Sequence, residues 1–130
     1  MTQVSEGTEK IIFKDESYEI VGAAIRVWKT LGYGFLEKVY ENALVIELRK
    51  RDFRVEQQKP VKVRYEDQIV GDYVADIVVN DAILLEMKSA QLIADEHVAQ
   101  TLNYLKATGI RLGIILNFGP ERMEHKRLVM

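Results

Sequence analysis

The 130 residues suffice for one domain with its own core and leave little for a second. Apolar residues make up 48% of the chain and charged ones 29%, the balance of a folded globule, which excludes global disorder and fibrous repeats. There is no cysteine, and His97 and His125 are the two histidines. Iron–sulfur clusters, zinc sites and a cysteine nucleophile are therefore excluded, and a net charge of -2 excludes a protein that coats nucleic acid.

Residues 1 to 12 read as a loose lead-in to a single domain over 1–130. The opening MTQVSEGTEK has neither a basic n-region nor an apolar stretch, so the expected address is cytoplasmic. No apolar run reaches the roughly 20 residues needed to span a bilayer, so no membrane partner is expected.

From Asp15 to Leu31, apolar residues recur at helical spacing through Ile20, Ala24, Val27, Trp28 and Leu31. Gly32-Tyr33-Gly34 breaks that helix. A second helix follows from Phe35 to Arg51, making an αα pair. The period then changes to 2, predicting strands over 53–58 and 61–65, parted near Pro60. Glu66-Asp67 is a turn, Gln68 to Val79 a returning strand, and Asn80-Asp81 a second turn. Ala82 to Lys88 is an apolar strand. Asp95 to Thr108 is a third helix with Val98, Leu102 and Leu105 toward the core, ended by Gly109. Arg111 to Phe118 is a buried strand, Gly119-Pro120 a turn, and Glu124 to Met130 a last strand. The order ααββββαββ predicts an α+β fold, a mixed central sheet flanked by helices, with the αα pair and the third helix on opposite faces.

The residues suited to chemistry cluster on two of these strands. One ends its apolar run at Asp76. The next carries Glu86 and Lys88, whose i, i+2 spacing puts them on one face roughly 7 Å apart. Two carboxylates beside a lysine suit Mg²⁺ and phosphoryl chemistry. They equally suit a cross-strand salt bridge. His97, Gln100 and Tyr104 follow at steps of three and four, on one stripe of the third helix. That stripe can orient a phosphate or serve as an ordinary polar edge. Glu37 opens the second helix, where the helix dipole alone favours a carboxylate.

Strand parity makes a further demand. A two-residue Asn80-Asp81 connection would place Asp76 and Glu86 on opposite faces. Only a three-residue connection, or a bulge, pairs Asp76 with Glu86. The odd register is expected, since a shared ion requires it. Gly32-Tyr33-Gly34 is no dinucleotide loop, because it follows a helix and lacks the third glycine. Ser89 has no nucleophile elbow around it. Arg49-Lys50-Arg51 with Arg54 reads as a solvated helix end.

With these motifs in view, the chain resembles the GxxExxY proteins of the PD-(D/E)XK nuclease superfamily, from about Tyr18 to Met130. Gly34, Glu37 and Tyr40 match the namesake motif, Asp76 with Glu86-Met87-Lys88 the nuclease motif, and Gln100 with Tyr104 the QxxxY motif of RecB-like nucleases. The segments LGYGFLEKVYENAL, VEQQKPV and NYLKATG follow the family pattern; Trp28 and Tyr33 depart from it. The resemblance implies a restriction-endonuclease-like core and metal-dependent hydrolysis of nucleic acid, with DNA the expected substrate. It implies Mg²⁺ or Mn²⁺ held by Asp76, Glu86 and the Met87 carbonyl. Lys88 and Glu37 would serve catalysis, and His97, Gln100 and Tyr104 the substrate. A non-catalytic binding module or a homo-oligomerising subunit is the alternative.

Overall fold

A computed structural model describes residues 11–130. The lead-in expected at 1–12 lies outside the described residues except for Ile11 and Ile12. Ile12 and Phe13 pack against the core.

The elements are α1 (Lys14–Leu31), α2 (Glu37–Lys50), β1 (Val55–Tyr65), β2 (Gln68–Val79), β3 (Ile83–Lys88), α3 (Asp95–Thr108), β4 (Leu112–Phe118) and β5 (Met123–Val129). The observed order is ααβββαββ, because two of the four expected central strands are one. Residues 53–58 and 61–65 do not form two strands, because β1 runs through Pro60. The sheet order is β1-β2-β3-β4-β5. β1 is therefore an edge strand, where a missing N–H costs no ladder bond.

The sheet is mixed. β3 and β4 are parallel, joined by α3, and the other neighbours are antiparallel. The strand period of 2 divides its side chains between two cores. Ile83, Leu85 and Met87 of β3 and Leu112, Ile114, Leu116 and Phe118 of β4 pack with α1 and α2. Leu84 faces the other way, with Val78, Ala75 and Val61, against Tyr104 and Leu105 of α3. The αα pair and α3 thus cover opposite faces. α3 can lie close because Gly113 of β4 has no side chain. A Cβ there would stand 3.0 Å from Thr101 and 3.2 Å from Leu105.

The β2–β3 connection is the odd one. Val79 pairs with Ile83, Val78 with Leu84 and Ile77 with Leu85. Asn80 and Asp81 both adopt left-handed backbone, and the Ala82 N–H reaches the Val79 carbonyl at 2.9 Å. The tight Asn-Asp turn is real, and Ala82 is the extra residue that corrects the parity.

The two strands then part. The β2–β3 ladder stops at Ile77 and Leu85, and the rest of β2 pairs with β1 alone. The β1–β2 hairpin leaves the sheet as an arm closed by Glu66-Asp67, both left-handed as a two-residue hairpin turn requires.

Candidate active site

Asp76 and Glu86 occupy the fork where β2 and β3 separate. Their side chains replace the missing ladder. The Asp76 N–H donates to Glu86 Oε2 at 3.2 Å, and the Met87 N–H donates to Asp76 Oδ2 at 2.8 Å. Asp76 Oδ1 and Glu86 Oε1 accept no hydrogen bond among the described residues, although Glu86 is 3% exposed. Neither carboxylate is in an ion pair there.

The electrostatics follow from that burial. Desolvation, followed by the Asp76 charge, pushes the Glu86 carboxyl up to about 8. Desolvation also raises Asp76, opposed by the Met87 N–H and assisted by the charge of Glu41. The buried Glu86 and the half-buried Asp76, each with an unpartnered oxygen, are a donor set for a hard cation. No three such groups converge tightly enough among the described residues to form a preassembled cage. The fit is therefore to an ion that keeps much of its water, as Mg²⁺ does. The Met87 side chain is in the core, so its carbonyl is what it could offer.

Lys88, two residues on from Glu86, donates from Nζ to Gln100 Oε1 at 3.2 Å, and Gln100 Nε2 donates to the Tyr104 hydroxyl at 3.4 Å. Tyr104 is less polar in setting than its stripe predicts. It is 8% exposed, joins the α3-side core and packs on Tyr73 at 5.3 Å. Its hydroxyl is raised by desolvation and then by the charges of Glu86 and Asp76. His97 caps α3, its Nδ1 accepting the Ala94 N–H at 3.0 Å. Val98, expected in the core with Leu102 and Leu105, is half-buried, and Thr101 is buried instead.

Glu37 begins α2 and is exposed. It borders a cleft of about 460 Å³ with Tyr33, Gly34, Phe35, Leu36 and Ser89. Its charge acts on Asp76 more weakly than that of Glu41. Tyr40 is structural: its ring stacks on Phe118 at 4.5 Å, and its hydroxyl donates to the Gly32 carbonyl and accepts the Phe35 N–H. That pins the loop carrying Glu37. The basic run is committed to its own chain, through Arg51 with Glu19 and Arg54 with Asp81. A larger apolar groove, about 840 Å³, lies between α1 and β5; Arg51 lines it, but none of Glu37, Asp76, Glu86, Lys88, His97, Gln100 and Tyr104 does.

One site residue escaped the sequence reading. Glu41 is 3% exposed. Its carboxylate accepts from Gln57 Nε2 at 2.6 Å, from Gln58 Nε2 at 3.0 and 3.2 Å, and from Lys38 Nζ at 3.1 Å. The signal was available. Glu41 falls on the same helical stripe as Leu44, Val45 and Leu48, which are buried, and a charge on an apolar stripe calls for a partner.

A family profile described as PD-(D/E)XK nuclease superfamily matches residues 14–128. The chain belongs to that superfamily. Its fold is similar to a solved structure described as SSO0001, with a TM-score of 0.58 and 17% identity over 90% of this chain. The chain spans 59% of that protein's length. A structure described as an alkaline exonuclease (LHK-Exo) from Laribacter hongkongensis aligns at a TM-score of 0.48 and 12% identity, over 88% of this chain and 81% of the other. No curated protein matches the chain. The fold is restriction-endonuclease-like, and the superfamily carries nuclease activity that generally uses divalent metals. Among the described residues, no helix is long and apolar enough to cross a membrane.

Proposed function

We propose that this chain is a divalent-metal-dependent nuclease that hydrolyses phosphodiester bonds in DNA, acting as one domain in the cytoplasm. The observation that carries the reading is the Asp76–Glu86 pair at the fork, its outer oxygens unpartnered, with Lys88 on the next same-face position of β3.

In this reading Asp76, Glu86 and the Met87 carbonyl hold Mg²⁺ or Mn²⁺. When bound, the ion supplies charge neutralisation and Lewis-acid polarisation at the phosphate. Lys88 orients the attacking water, and Gln100 fixes the ammonium through its amide oxygen. Tyr104 fixes Gln100 in turn. Glu37 supports the water from its cleft, and Gln100 and Tyr104 border the scissile phosphate. His97 contributes by fixing the start of α3, which carries both.

The test is incubation of the purified protein with linear and circular, single- and double-stranded DNA and RNA, in Mg²⁺, Mn²⁺ or EDTA. Cleavage of DNA that EDTA abolishes and Lys88→Ala removes is the expected result. Binding without cutting in every metal would identify a non-catalytic module and overturn the reading.

A further inference from the structure

Inside β1 one residue breaks the rules of a strand. Gln58 has φ 54, in the left-handed region, and it is the residue of that class that lies within a strand; the others flank helices or form the two hairpin turns. An L-residue there is strained, and glycine or asparagine would be cheaper. Such a conformation persists when its surroundings over-determine it. The surroundings are those of the site. The β1–β2 ladder pairs Gln57 with Ile77 and Lys59 with Ala75, skipping Gln58 and Asp76 between them.

The break has two consequences. Val55 and Val61 are six residues apart and would share a face in a regular strand. Instead Val55 packs with α1 and α2, and Val61 with α3. Second, consecutive strand residues should point to opposite faces, yet Gln57 and Gln58 both donate to Glu41. Only the left-handed step between them and Lys59 allows it.

We propose that Gln58 is a positioning residue of the reaction centre, whose left-handed backbone turns its amide onto Glu41 and holds that carboxylate beside Asp76 and Glu86. The inference rests on the nuclease reading above. Its chemistry is specific. Two neutral amides satisfy a buried carboxylate without cancelling its charge. The cation that touches Glu41, Lys38, has a side chain 56% exposed, so it neutralises weakly. Glu41 therefore adds its negative charge to the fork, where a cation is to be held.

Gln58→Gly separates this role from a structural one, because it relieves the backbone and removes the amide together. Three quantities are read on the full chain: the melting temperature, the Mn²⁺ dissociation constant and the rate of Mn²⁺-dependent DNA cleavage. Gln58→Asn, which tolerates left-handed backbone but reaches less far, is read beside it. The expected result is a melting temperature unchanged or raised by about 3 °C for Gln58→Gly. Mn²⁺ affinity and cleavage should both fall roughly tenfold or more in the two variants. Wild-type affinity and cleavage in both variants would overturn the proposal. So would a destabilised Gln58→Gly protein beside a Gln58→Asn protein that binds Mn²⁺ and cleaves as wild type does, since the residue would then serve the fold alone. A wild-type protein that neither binds Mn²⁺ nor cleaves would instead overturn the nuclease reading itself.

Discussion

β2 and β3 form one strand pair with two unlike ends. At the turn end, Ile77, Val78 and Val79 meet Leu85, Leu84 and Ile83 in an unbroken ladder, every side chain buried and apolar. At the other end, one residue further, the ladder stops and Asp76 faces Glu86. The first end is built from contacts that agree with one another: strand propensity, alternation and burial all point the same way. The second collects what a stable sheet avoids: two carboxylates, a strained Gln58 on the neighbouring strand, and a third acid, Glu41 of α2, which Gln58 binds. Functional sites concentrate such conflicts because chemistry needs charged groups out of water. The paired end holds the strands so that the open end can tolerate them.

If the two ends are energetically separate, substitutions should divide cleanly. The largest expected effect is at the fork. Asp76→Asn, Glu86→Gln and Lys88→Ala should each lower cleavage by at least about a hundredfold, measured as initial rates on linear duplex DNA in Mn²⁺. Glu86→Gln should meanwhile unfold at higher urea than wild type at pH 8, because it removes a buried charge. Fork variants that lose stability along with activity would erase the distinction.

At the paired end the reverse should hold. Leu85→Ala, at a fully buried position, should cost about 3 kcal/mol in urea unfolding. Its activity per folded molecule should remain near that of wild type.

The pH dependence sharpens the contrast. Glu86 titrates near 8 when folded, against an ordinary 4.5. Between these values the unfolded chain has released a proton that the folded chain retains. Stability therefore falls as pH rises from about 5 to 8, and Asp76, also raised, adds in the same direction. Urea titrations in EDTA should show this decline, and Glu86→Gln should flatten it. Mn²⁺ should restore stability most at the high-pH end, where the carboxylates are ionised.

The smallest effect is expected on the outer arm. Lys62→Ala breaks an exposed pair with Asp72 at 3.1 Å and should change stability by less than about 1 kcal/mol.

Local patterns made the helices and the paired end legible. α3 has the expected bounds, and Gly109 ends it with left-handed backbone, as a C-cap glycine does. Strand parity together with the demand for a shared ion called for the odd β2–β3 connection, which Ala82 provides. Pro60 misled, because proline breaks a strand only if both its edges are paired, and edge position is a property of the sheet. Tyr104 read as polar from helix spacing, but its ring is buried by Tyr73 on a strand far away in sequence. Glu41 stands on a stripe that the helix period marks as buried, but its partners were hidden for a similar reason. Its partners Gln57 and Gln58 reach it only through a backbone conformation that no residue type there announces. Long-range satisfaction of a buried charge leaves little trace in local periodicity.

The most direct test of the fork as a metal-dependent centre is calorimetric titration of Mn²⁺ into the full chain at pH 6 and pH 8. Binding should tighten with pH, release protons at pH 6, and be lost in Glu86→Gln. Equal Mn²⁺ affinity at the two pH values, or in wild type and Glu86→Gln, would contradict that assignment.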